Sequence, residues 1–268
     1  MEFSGCNFCL PVFFHQYFLV DGHTEKTNNA TLTFFKYNNR RYMVTCLHVI
    51  DILDEKRDKT NDYWHTLSLS LGRTFLQLSD MDHSDPTKRK DVFRKITENF
   101  GEEQVDIVIA PIDDIRWSWI QSEKLKQTID LDNWIAPKWA DMDMGSVFGY
   151  PTKHKSQKGD YVASPCVTIF AEIVSNLNEN SNQITLFSTL EKPHGYYFSG
   201  ISGGPIFVSS DEDRRYPIGI VYEGQPGSPK DLTTEESEQS IFSENDILIK
   251  GFVLTPDIFS TWIERAGL

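Results

Sequence analysis

The feature that most constrains this chain is its punctuation. From residue 10 onward, short segments rich in β-branched and aromatic residues recur, each closed by Gly, Pro, Asn, Asp or Ser. Branched and aromatic side chains suit a pleated surface, and the turn formers between them interrupt helices. Strands are expected over 10–20, 31–37, 41–46, 66–71, 74–78, 105–110, 145–150, 162–174, 183–188, 205–208, 217–222 and 247–253. Asn38-Asn39 is a hairpin turn signal between the second and third of these. Helical patterning is confined to a short turn after Leu47, to 115–129, and to 257–264, where Thr255 and Pro256 supply a cap and a first-turn proline. Many short strands without alternating helices fold as a sandwich or barrel. The class read from this pattern is mostly β.

Composition narrows the function. The 268 residues are 39% hydrophobic and carry a net charge of −13, which gives apolar mass for one large core or two small ones. A phosphate backbone needs a basic face, so no nucleic-acid partner is expected. The basic run Thr87-Lys88-Arg89-Lys90 reads as a solvated loop. No segment approaches the roughly 18 apolar residues of a membrane helix, so no membrane partner is expected either. The opening Met-Glu-Phe-Ser-Gly-Cys lacks the basic start and small-residue cleavage site of a secretory leader. The four cysteines show no framework spacing. Cys6 and Cys9 form a lone C-x-x-C, half a zinc site or a redox pair, with no second ligand pair to close a zinc tetrahedron. No metal and no cofactor are expected, and the compartment is expected to be reducing and cytoplasmic.

Three segments carry chemistry. Val44-Thr45-Cys46-Leu47-His48 is an apolar strand ending in a histidine. Val105-Asp106-Ile107-Val108-Ile109 puts an aspartate at the head of a buried-looking strand, and Gly200-Ile201-Ser202-Gly203-Gly204-Pro205 sets a serine in a glycine-rich loop. Each alone has an ordinary explanation as a strand end, a turn residue or a loop. Together they supply what serine attack on an acyl carbon needs. That is a hydroxyl, an imidazole to take its proton, a carboxylate to orient the imidazole, and backbone N–H donors for the oxyanion.

The order His…Asp…Ser, with these motifs, resembles the trypsin-like (chymotrypsin-fold) serine peptidases, and Gly149-Tyr150-Pro151 is similar to bacterial members. Gly219-Ile220-Val221-Tyr222-Glu223-Gly224 is placed like the family's strand beside the substrate. The terminal helix with Trp262-Ile263 also agrees, so the resemblance spans residue 10 to the end. It implies two Greek-key β-barrels and a C-terminal helix. The first barrel would occupy residues 1–112 and carry His48 and Asp106; a crossover would span 113–135; the second barrel would occupy 136–268 and carry the serine loop. It implies a serine endopeptidase with Ser202 as nucleophile, His48 as general base then acid, Asp106 as the orienting carboxylate, and the amides of Gly200 and Ser202 as oxyanion hole. Tyr196, Tyr222, Glu223 and Gly224 would meet a protein or peptide substrate. Asp51, three residues after His48, is a neighbour in sequence, but the family's aspartate comes from a separate strand.

The chain also departs from the family. Val49 and 196–199 stand where secreted members have cysteines. Ile201 replaces the aspartate that pairs with a newly cut N-terminus, and no activation site is present. The loop is therefore competent as made, or a regulatory partner protein orders it. Tyr222 occupies the place of a serine that bonds the triad aspartate, and Glu223 offers a charge for a basic substrate residue. Residues 225–246 form a long acidic stretch beside the specificity pocket, expected to act as a lid. Two other classes stay open: a protease-fold binding module with a silent triad, and a serine esterase. The esterase nucleophile elbow is matched in letters at 200–204, but its fold needs a Ser…Asp…His order that this chain lacks.

Overall fold

Most of the strand segments form two curved sheets back to back, and two small two-stranded sheets lie outside them. The computed structural model describes residues 4–16, 28–60, 65–71, 74–80, 90–96, 105–158, 161–175, 177–178, 181–195, 197–209, 215–227 and 243–268. Tyr196, Thr87-Lys88-Arg89 and 228–242, the bulk of the expected lid, lie outside them.

In chain order the first half contains β1 (Cys9–Gln16), β2 (Asn29–Tyr37), β3 (Arg40–Thr45), α1 (Leu47–Thr60), β4 (His65–Leu71), β5 (Thr74–Gln77), β6 (Ser79–Asp80), β7 (Lys90–Asp91), β8 (Arg94–Lys95) and β9 (Val108–Ile112). Next come α2 (Asp114–Lys124) and β10 (Ile129–Asp130). The second half contains β11 (Met144–Gly149), β12 (Ser156–Lys158), β13 (Tyr161–Ala163), β14 (Val167–Ile173), β15 (Gln183–Thr189), β16 (Pro205–Ser209), β17 (Arg215–Gln225), β18 (Asp246–Val253) and α3 (Pro256–Arg265).

The first sheet runs β5-β4-β1-β2-β3-β9-β8, with β10 added in parallel on β2. It curls around Leu32, Phe34, Met43 and Leu69 but has no closing pair among the described residues. The first of the two expected β-barrels is thus a curled half-barrel. The other sheet does close, in the order β11-β14-β15-β18-β17-β16, around Val147, Ile184, Ile206 and Ile249. Asn38 and Asn39 both take positive φ, 50° and 57°, as a tight β2–β3 hairpin requires. The turn expected after Leu47 extends into a helix through Thr60.

Each half is clasped by the far end of the chain. Helix α3 leaves the closed barrel, and its Phe259 packs on Phe35, Tyr37 and Tyr42 of the curled sheet, at centroid distances of 5.1 to 5.8 Å. The N-terminal segment runs the other way: Phe8 packs on Phe207 of the barrel, and Cys6 is disulfide-bonded to Cys166. The C-x-x-C is therefore neither half a metal site nor an internal redox pair. Cys9 is a buried thiol whose pKa burial pushes up to about 12. Disulfides persist in oxidising settings, so the Cys6–Cys166 bond and the expected reducing compartment stand in tension.

The sheets meet on a third apolar layer that includes Phe35, Val44, Ile109, Phe148, Phe207, Phe252 and Trp262. Along β2, Ala30, Leu32 and Phe34 face the interior of their own sheet, and Thr31 and Thr33 alternate toward the barrel. That alternation positions the site.

Candidate active site

His48 is the second residue of α1, where β3 turns into the helix, and Asp106 lies between buried Val105 and Ile107, just before β9. Because β3 and β9 are hydrogen-bonded neighbours, the two side chains emerge at the same end of the sheet. Asp106 Oδ2 is 2.6 Å from His48 Nδ1, and Oδ1 accepts the His48 backbone N–H at 2.8 Å. The Asp106 carbonyl also accepts from Leu47 N–H at 3.3 Å. A carboxylate can only accept, so in the neutral ring Nδ1 carries the proton and Nε2 is left as the base.

The serine loop is held by carbonyl bonds. Thr31 Oγ1 donates to the Gly200 carbonyl at 2.8 Å, Thr31 N–H to that of Ser202 at 3.0 Å, and Thr33 Oγ1 to that of Gly203 at 2.6 Å. The Ser199 carbonyl accepts from Thr152 N–H at 2.7 Å, and that of Ile201 from Gly204 N–H at 2.8 Å. The N–H groups of Ile201 and Gly203 donate to Phe198 and Val221 carbonyls at 3.1 and 2.7 Å. Two backbone donors remain in the loop without an acceptor among the described residues, the N–H groups of Gly200 and Ser202. In a trans peptide the C=O and N–H point opposite ways. Pinning the carbonyls of 199 and 201 therefore aims the amides of 200 and 202 away from those anchors. Glycine is needed for this path: φ is +100° at Gly200 and +91° at Gly203, and a Cβ on Gly203 would overlap the Thr31 carbonyl and Thr45.

The loop thus sits on β2, with Gly203 against Thr45 of β3, three residues before His48. Ser202 Oγ donates to the Tyr222 carbonyl at 3.3 Å rather than to His48. Unliganded sites often hold such bonds loosely, and rotation about one bond redirects the hydroxyl.

Comparison with solved structures gives the same architecture. A thermostable serine protease from an extremophilic microorganism superposes with a TM-score of 0.51 at 11% identity, covering 98% of this chain and 99% of the other. The fold is chymotrypsin-like. Protease Anisep from Arthrobacter nicotinovorans (TM-score 0.48, 13% identity, 98% and 96% covered) and human heparin binding protein (0.43, 10%, 97% and 90%) are also similar. No protein-family model and no curated protein matches the chain.

Within this chymotrypsin-like frame the remaining candidates have close neighbours of their own. The Tyr222 ring stacks on Phe252 at 4.6 Å, so it is the carbonyl of this residue that serves the site. Glu223 is ion-paired with Lys250 at 2.9 Å and bonded by Gln225 Nε2, so its charge is already met. Asp51 is exposed and paired with Lys95, away from His48. Gly224 lies against Ile201 and Phe198.

Sequence reasoning missed Cys46. Its buried Sγ donates to the Val221 carbonyl at 3.2 Å, the same oxygen that takes Gly203 N–H. Burial, with the Asp106 charge adding to it, pushes this thiol well above its ordinary pKa, which keeps the S–H donor in place. Donor atoms of Cys46, His48 and Asp106 lie within 4.8 Å of one another, yet a metal needs a thiolate that this environment opposes. Thr31 and Thr33 were missed too. Their signal was two hydroxyls at alternate positions of the apolar run 30–35, and both prove fully buried.

Proposed function

We propose that the protein is a serine endopeptidase working through an acyl-enzyme. Ser202 Oγ attacks the scissile carbonyl carbon as its proton passes to His48 Nε2, and Asp106 stabilises the resulting imidazolium. The oxyanion forms opposite the amides of Gly200 and Ser202. When it collapses, the C–N bond breaks and His48 returns the proton to the leaving amine. A water deprotonated by His48 then hydrolyses the ester and restores Ser202.

The observation that carries this reading is the hydrogen-bond accounting of residues 199–204. Among the described residues, all other backbone N–H groups there that could compete for an oxyanion are engaged, and the two that remain are those the chemistry requires. A fluorophosphonate probe tests it. Labelling should occur at Ser202 in the folded protein, and vanish in Ser202→Ala and in protein unfolded beforehand. A folded protein that never labels contradicts the reading. One observation favours the second reading, a silent protease-fold binding module: the resting bond from Ser202 Oγ to the Tyr222 carbonyl. The same experiment separates the two.

A further inference from the structure

The end of β17 beside the serine loop has one open edge. Strand β16 pairs with β17 only as far as Ile220, and Gly203 and Gly204 continue that pairing through Val221. Past that point, among the described residues, Glu223 and Gly224 pair only with Lys250 and Ile249 of β18. An extended peptide laid on this edge, with its scissile carbonyl at the Gly200 and Ser202 amides, gains main-chain bonds to β17. The side chain of the residue supplying that carbonyl must then enter the gap between 222–224 and the 198–201 loop.

That gap is filled. A Cβ built on Gly224 would lie 2.5 Å from Ile201 Cδ1 and 2.8 Å from Phe198 Cβ. Both side chains are buried, at 0% and 3% exposure, in the apolar core of the closed barrel. Neither is loosely held. Phe198 N–H donates to the Pro226 carbonyl at 2.8 Å, the Phe198 ring packs on His194 at 5.5 Å, and the Cβ of Ile201 abuts Gly149.

We infer that Ile201 and Phe198 are specificity-determining residues that plug this pocket. The substrates are then polypeptides with glycine or alanine immediately before the cleaved bond. The inference rests on the endopeptidase reading and deepens it. A floor of two packed side chains leaves room for a hydrogen or a methyl group, whereas a leucine or phenylalanine has to displace part of the core.

The test is a set of internally quenched peptides differing only at that position (Gly, Ala, Val, Leu, Phe, Lys), run alongside fluorophosphonate labelling. Wild type should cleave the Ala peptide with kcat/KM about 100-fold above the Leu and Phe peptides, since even one methylene in a pocket is worth roughly 10- to 200-fold. Phe198→Ala should narrow that ratio by at least about tenfold. Ile201→Val, a one-methylene change less apt to unfold the loop, should do so by a smaller factor. A labelled wild type that cleaves after Leu, Phe or Lys as fast as after Ala overturns the inference. So does a ranking that both variants leave unchanged, or labelling without cleavage of any member. Absence of labelling at Ser202 brings down the endopeptidase reading and this inference with it.

Discussion

The two halves hold their share of the site in different ways. His48 and Asp106 belong to the curled sheet, and their geometry is local: neighbouring strands, one carboxylate, and two bonds of 2.6 and 2.8 Å to a single residue. Ser202 belongs to the closed barrel, yet three of its loop's carbonyls are held by Thr31 and Thr33 of the other half. The first arrangement is set by one sheet folding; the second exists only once the halves dock. The interface is therefore part of the site as well as a support beneath it, and clasping by both chain ends keeps it registered.

Breaking the local half should cost most. Asp106→Asn leaves the shape intact but reverses the ring tautomer, and kcat should fall by about 10⁴, with circular dichroism unchanged. A loss under tenfold would mean that the His48–Asp106 bond has no catalytic role.

Breaking the docked half should cost less. Thr31→Val removes the hydroxyl that donates to the Gly200 carbonyl and accepts Tyr150 N–H at 3.0 Å. The Gly200–Ile201 peptide, which lies between the two that carry the oxyanion amides, should then be free to turn, lowering kcat by about 10²-fold, within the range for an oxyanion donor. KM should hold steady, and Thr33→Val should act in the same direction. If both leave kcat unchanged, the loop does not depend on the other half.

Smaller still is the effect of the shared acceptor at Val221. Cys46→Ala removes one of its two donors, and kcat should fall by about three- to tenfold. A fall comparable to that of Asp106→Asn would instead make Cys46 a participant in the chemistry.

The clasp should matter for stability and hardly for turnover. Cys166→Ser opens a bond between residues 160 apart. It should lower the unfolding free energy by about 2–4 kcal/mol, read in urea melts, with kcat within about twofold of wild type. An unchanged melt, or equal stability of oxidised and reduced wild type, would show that the bond does not form in solution.

What the sequence revealed follows the same division. Strand positions, the Asn38-Asn39 turn and the three chemical segments were readable because each is a local pattern. The roles of Thr31 and Thr33 were not, because a hydroxyl on an apolar strand shows no partner until a loop about 170 residues away docks on it. The Cys6–Cys166 pairing was hidden for the same reason, since connectivity is a property of the fold. Glu223 looked like a free charge because Lys250 becomes its neighbour only through the β17–β18 register. The curled sheet looked like a barrel because alternation reports which face is buried, and not whether the edges meet.

Docking of the two halves is expected to leave the Gly200 and Ser202 amides as the oxyanion donors. A crystal structure of the fluorophosphonate adduct addresses it most directly. A phosphonyl oxygen should lie within about 2.7–3.1 Å of both amide nitrogens, with the carbonyls of 199–203 still on their present partners. A phosphonyl oxygen turned toward solvent, or a loop whose Gly200 amide has rotated away from it, would contradict the account.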